Sequence, residues 1–164
     1  MTTLLKSMKK FETRMSASVF SRFVLARKNN ELNLNPDYQR EYVWTEKEQN
    51  DFLVAFFSEF PFGNISITVD EDYNIEVVDG KQRLTTLLKF YDNEIGFTFE
   101  GNKVFYSDLC DADKRRFSNW TIPTVQLMTN NYKDRVAYFA AINFTGVAQS
   151  EDHKEKVMKI LSEV

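Results

Sequence analysis

Asp79, Gly80, Lys81, Gln82 and Arg83 follow directly after the apolar run Val77-Val78 and directly before Leu84, Leu87 and Leu88. An apolar run closed by Asp-Gly reads as a strand that turns, and leucines at three-and-four spacing read as a helix opening at that turn. The first turn of a helix leaves backbone N–H groups without acceptors and carries partial positive charge, so it receives anionic oxygens. Gly80 lets a ligand approach the main chain closely. Lys81 and Arg83 add two cations, and a guanidinium can grip a phosphate with two parallel hydrogen bonds. Gln82 can position a water. Asp79 suits a magnesium ion better than a bare phosphate, or it orients Arg83. The structural alternative is that Asp79 caps the helix, Gly80 makes the turn and the two cations are solvated.

A second segment, residues 35–44, places Tyr38, Gln39, Arg40, Tyr42 and Trp44 close together with no helical or strand period. Gln39 and Arg40 are candidates to bind a phosphate or a base edge. Tyr38 and Tyr42 are the candidates to stack on a base, while Trp44 reads more readily as core. The alternative has Tyr42 in the core too, and Arg40 paired with Glu41 or another acid.

The elements that must position these residues are legible in outline. Phe20, Phe23, Val24 and Arg27 predict a helix over residues 17–29. Leu32 and Leu34 mark a short strand ended by Asn35-Pro36. Thr45 followed by Glu48 has the form of a capping box, so a helix starts there and buries Phe52, Leu53, Phe56 and Phe57. Ile65, Ile67 and Val69 alternate as a strand, and residues 76–78 form a second strand paired with it. Ile95, Phe97 and Phe99, then Gly101-Asn102 and Val104, predict a hairpin. A short helix is expected over 107–117, an edge strand over 121–127 because of Pro123, a helix around Val136, Phe139 and Ile142, and a last helix from about 150. Mixed helices and strands, with hairpins as well as crossovers, indicate an α+β class.

Composition bounds the rest. The chain has 164 residues, 43% hydrophobic and 27% charged, which suits one globular domain and excludes disorder and fibrous repeats. With no repeat or linker, the expected organisation is a basic segment over 1–15 and one domain over 16–164. No apolar run is long enough for a membrane span, and no secretory signal is expected at the N-terminus. Cys110 is the only cysteine and His153 the only histidine, which excludes an internal disulfide, a zinc cage and a two-histidine nuclease site. A reducing cytoplasm follows as the expectation. Acidic neighbours Asp108 and Asp111 make Cys110 a poor nucleophile with a structural role, and His153, between acids, is expected to face solvent. Net charge is −3, although residues 1–40 carry eight Lys and Arg against three acids. A basic front on an acidic body can touch phosphate locally but does not make a general nucleic-acid binder.

The two segments together resemble the paired signatures of the ParB-like superfamily and, more closely, the N-terminal domain of GmrSD-type restriction enzymes. The first block reads N-P-D-Y-Q-R-E-Y-V-W over residues 35–44 and the second V-D-G-K-Q-R-L-T-T over 78–86. Phe139, Ile142, Asn143 and Gly146 match a third, weaker element. The resemblance implies a ParB/sulfiredoxin-like fold, a small mixed sheet surrounded by helices. It further implies binding and hydrolysis of a nucleoside triphosphate by Asp79, Gly80, Gln82 and Arg83. Gln39 and Arg40 would lie on the same cleft, with Asn143 and Gly146 as a supporting wall. In the larger enzymes the module senses modified phage DNA and couples nucleotide turnover to a separate His-Asn-His nuclease module. This chain is shorter than the usual family domain and carries no such module, so it would act with a nuclease subunit or other protein in trans, as a free-standing nucleotidase, or as a reduced homologue.

The expected function is therefore a nucleotide-binding, NTP-hydrolysing domain. Arg83, Lys81 and the helix start would hold the phosphates, magnesium would be steadied by Asp79, and Gln82, or Gln39 across the cleft, would orient the water. No strong general base is evident, so turnover would be slow. The alternative is a non-catalytic DNA- or protein-binding module. Direct phosphodiester cleavage would need converging acids, and Asp70, Glu71 and Asp72 form the only other acidic group, in a turn.

Overall fold

A computed structural model of the chain describes residues 8–144 and 151–163, with the side chains of Glu151 and His153 left out. The expectation for His153 therefore lies outside the described residues.

The central sheet is built from β1 (Thr13–Val19), β2 (Leu32–Asn33), β3 (Ile65–Val69), β4 (Ile75–Asp79) and β7 (Thr121–Leu127). Its five strands run in the order β1-β7-β3-β4-β2. Pairing is antiparallel between β1 and β7 and between β3 and β4, and parallel between β7 and β3 and between β4 and β2. A separate hairpin joins β5 (Phe97–Phe99) to β6 (Asn102–Val104). The helices are α1 (Phe20–Lys28), α2 (Glu46–Phe57), α3 (Lys81–Tyr91), α4 (Asp111–Ser118), α5 (Tyr132–Phe144) and α6 (Glu151–Glu163). The class is α+β, as the mixed order of elements predicts.

Most local signals act as expected. Thr45 accepts from the Glu48 N–H while the Glu48 carboxylate accepts from the Thr45 N–H, closing the capping box at the start of α2. Phe52, Leu53 and Phe56 of that helix are buried. Alternation in β4 sends Val77 to one face of the sheet and Val78 to the other. Val77 joins a large core with Phe20, Phe23, Phe56, Ile65, Leu84 and Phe117. Val78 joins a smaller cluster with Tyr38, Val136, Phe139 and Val157, over which α5 and α6 pack. Burying each such side chain is worth about 1.5–3 kcal/mol relative to exposing it.

Three expectations need correction. The helix expected from Ala17 begins at Phe20, because residues 13–19 form β1 against β7. Residues 107–117 do not form one helix: a 3-10 turn over Tyr106–Asp108 precedes α4. Finally, β7 is not an edge strand but lies between β1 and β3. Pro123 is tolerated there because the β3 ladder starts only at Thr124, opposite Ile65, so that side of β7 is still unpaired at the proline. No helix among the described residues is long and apolar enough to cross a membrane.

Candidate functional site

β4 ends at Asp79 and α3 begins at Lys81, so a single residue makes the turn between them. Gly80 does so at φ +97°, the left-handed region that an L side chain rarely adopts. A Cβ there would also lie 3.0 Å from Ile65 Cγ1 and 3.3 Å from the Ile65 main chain. No side chain caps α3. The alternative capping role of Asp79 is thus not taken up, and its carboxylate turns to Arg83, 3.1 Å away one helical turn on. The first turn of α3 keeps its anion-receptive character.

Segment 35–44 lies against this turn and is gripped by its main chain. Lys81 Nζ donates to the Arg40 carbonyl at 2.9 Å. Gln82 Nε2 donates to the Glu41 carbonyl at 3.0 Å, and Gln82 Oε1 accepts from the Val43 N–H at 3.0 Å. Gln39 answers from the other side, its Nε2 donating to the carbonyls of Val77 and Val78. Tyr42 and Thr86 share a hydroxyl contact of 2.9 Å. The two sequence blocks are therefore one interlocked unit. Between them lies a cleft of about 180 Å³ lined by Gln39, Arg40, Trp44, residues 79–83, Phe139 and Asn143.

The structure brings together Asp79, Gly80, Lys81, Gln82, Arg83, Gln39 and Arg40, and gives several of them work that their types alone do not reveal. Lys81 is buried, and burial pulls its pKa below the ordinary lysine value despite Glu41 at 3.8 Å. Arg83 is not a loose cation: Nη1 donates to the Phe62 carbonyl at 2.7 Å and Nη2 to Asp79. Gln82 has both ends of its amide engaged by backbone, which leaves one N–H and one lone pair for any other partner. Gln39 Nε2 is likewise held, but no described residue donates to its Oε1. The Arg40 side chain is exposed and makes no hydrogen bond or ion pair to a described residue; the alternative pairing with Glu41 is absent, although the Arg40 charge is felt by the Glu48 carboxylate.

Two stacking candidates do not reach the cleft. Tyr38 is fully buried, its ring packed on Phe139 and Tyr132. Its hydroxyl donates to Glu76 at 2.6 Å, and burial together with that carboxylate drives its pKa upward. Glu76 also takes Arg135 at 2.8 Å. Tyr42 lies beneath Lys89, whose Nζ is 5.5 Å from the ring centroid. Asn143, from α5, reaches Asp79 Oδ1 at 3.4 Å, while Gly146 lies outside the described residues.

Gly63 is the residue that inspection of types missed. Its φ is +81°, and a Cβ would lie 2.6 Å from Arg83 Nη1. It makes the space in which Arg83 reaches the Phe62 carbonyl. The only signal for it was a glycine shortly before an apolar strand, and a carbonyl partner leaves no mark on a sequence.

Elsewhere, two cations of the basic front are paired within the chain. Lys9 pairs with Asp134 at 2.7 Å and Arg27 with Asp92 at 2.6 Å. Asp70 accepts from Asp72 and Asn74 within its own turn. Among the described residues no group of three His, Cys, Asp or Glu side chains gathers to hold a metal ion. Cys110 is exposed at the start of α4 with its Sγ 3.2 Å from Asp113 Oδ2.

Residues 21–162 match the family model described as "GmrSD restriction endonuclease, N-terminal domain". No curated protein and no solved structure matches the chain.

Proposed function

The chain belongs to the family of GmrSD restriction endonuclease N-terminal domains, which gives it a place among restriction-system, defence-related proteins, and from that premise we propose that its cleft binds the phosphates of a nucleoside triphosphate and hydrolyses it slowly. The observation that carries this reading is Arg40. Its side chain makes no hydrogen bond or ion pair among the described residues, and the residue lines the same cleft as the uncapped start of α3. A guanidinium with its hydrogen-bond donors uncommitted, beside free backbone N–H groups, is suited to anionic oxygens.

In this reading the N–H groups of the first turn of α3 and Arg40 take the phosphate oxygens. Arg83 shapes the floor and holds Asp79 in place. The donor set fits magnesium only as an ion carried in on the phosphates, since Asp79 offers one carboxylate and the metal usually keeps phosphates and waters as its other ligands. When bound, the ion would offset charge on the transferred phosphoryl group. Gln39 Oε1, which accepts from no described residue, would accept a hydrogen bond from the attacking water. Slow turnover follows because the one carboxylate among the described lining residues, Asp79, is engaged by Arg83 and Asn143, and a nuclease subunit acting in trans, or DNA bound to it, would be the element that such turnover informs.

Calorimetric titration of ATP, with and without magnesium, tests the reading. Wild-type protein is expected to bind and Arg40→Ala to bind at least tenfold more weakly, with phosphate release lost in parallel. Equal heats from the two proteins would remove the role given to Arg40.

A further inference from the structure

We infer that Trp44 is the surface on which the base of the bound nucleoside triphosphate stacks, an inference that rests on the phosphate reading of the cleft above.

Residues 35–44 carry three aromatic side chains, and the fold separates their fates. Tyr38 has 0% exposure and both its ring and hydroxyl are occupied inside the smaller core. Tyr42 is not on the cleft and is held by Thr86 and covered by Lys89. Trp44 is half-buried and lines the cleft beside Arg40 and Gly80. Phe139, the other aromatic side chain on the cleft, is 4% exposed and packs on Tyr38.

Trp44 is also well anchored for such a task. Its ring packs on Phe52 with centroids 5.1 Å apart, so the indole is supported from the protein side. Its carbonyl accepts from Gln49 Nε2 at 3.0 Å, and the N–H of the preceding Val43 is held by Gln82. A stacking surface fixed before binding loses little rotamer freedom on binding. With phosphates at the start of α3, a base extending toward the rim meets Trp44. Base–aromatic stacking tolerates any base because each has a π-face.

The chain has two tryptophans, Trp44 and Trp120, so Trp120→Phe leaves Trp44 as the sole indole reporter. The probes are ATP and inorganic tripolyphosphate, which share the phosphates and differ in the nucleoside. The expected result is quenching of the Trp120→Phe protein by ATP and not by tripolyphosphate. In the Trp44→Leu protein, ATP affinity falls about tenfold, toward that of tripolyphosphate, which is itself unchanged. If ATP and tripolyphosphate bind the wild type equally and Trp44→Leu alters neither, the role of Trp44 is overturned while the phosphate reading stands. If neither binds the wild type, both fall. Should Trp44→Leu fail to fold, the Trp120→Phe emission decides alone, and ATP binding without quenching overturns the inference.

Discussion

Gln39 and Gln82 hold one seam from its two sides. Gln39 donates out of segment 35–44 to the carbonyls of Val77 and Val78 in β4, while Gln82 donates out of α3 to the carbonyl of Glu41 and accepts from the N–H of Val43. Each side chain satisfies main-chain groups of the opposite segment, so neither segment keeps its shape without the other. The rim of the cleft is a product of that exchange.

Removing either amide should loosen the seam. Gln39→Ala leaves two carbonyls without their donor at a site 8% exposed, and should cost about 1–3 kcal/mol. Gln82→Ala should cost less, because its partners are nearer to water. For a chain of this size each kcal/mol lowers the melting temperature by roughly 2–4 °C. Thermal denaturation of the two variants, with amide exchange at residues 41–43, measures this; an unchanged melting temperature for Gln39→Ala would contradict it.

Gly63 and Arg83 should behave as a coupled pair. Gly63→Ala adds a Cβ 2.6 Å from Arg83 Nη1 at a φ of +81°, displacing the guanidinium as well as straining the turn. With Arg83 already replaced by Ala, only the backbone strain remains. A double-mutant cycle on unfolding free energy should return a coupling of at least ~0.5 kcal/mol. Additive effects would mean that Gly63 does not act through Arg83.

Arg40 and Arg83 should separate binding from stability. The Arg40 side chain is exposed and makes no hydrogen bond or ion pair among the described residues, so Arg40→Ala should stay within about 0.5 kcal/mol of wild type. Arg83→Ala strips partners from Asp79 and the Phe62 carbonyl and should destabilise by about 1–3 kcal/mol. Urea unfolding of both proteins checks the contrast, and a destabilised Arg40→Ala would place that side chain in the framework instead of on the cleft.

Lys81 should leave a signature in alkaline solution. Burial lowers its pKa in the folded chain below the ordinary 10.5, so in the window just below that value the unfolded chain binds more protons. Stability from this group therefore rises with pH through that window, and the cost of its buried charge is complete at lower pH. Measured against Lys81→Met, which has no charge to relieve, the wild type should gain ground as pH climbs toward 10.5. A difference between the two that stays flat with pH would rule this out.

Much of the molecule could be read from residue patterns. The capping box at Thr45, the alternation in β3 and the leucine spacing in α3 are short-range signals, and the fold obeys them. What escaped was non-local. Residues 13–19 read as part of a tail and a helix because their strand character depends on β7, far along the chain. Pro123 suggested an edge because its tolerance depends on where β3 happens to start. At the cleft, the cluster of polar types was plain, but their division of labour was not. Gln82, Lys81 and Arg83 look like ligand-binding groups by chemistry, yet each has a backbone carbonyl as its partner.

The grip on segment 35–44 has an evolutionary corollary. Because Lys81 and Gln82 hold the carbonyls of Arg40 and Glu41 and the N–H of Val43, the loop keeps its place through its main chain, and the exposed side chains of Glu41 and Val43, which take no part in the proposed binding, are not needed for it. Substitution there can retune what the rim contacts, in charge or size, without dismantling the frame beneath. Drift should therefore concentrate at positions 41 and 43 and spare Arg40 and the glutamines that fasten the loop.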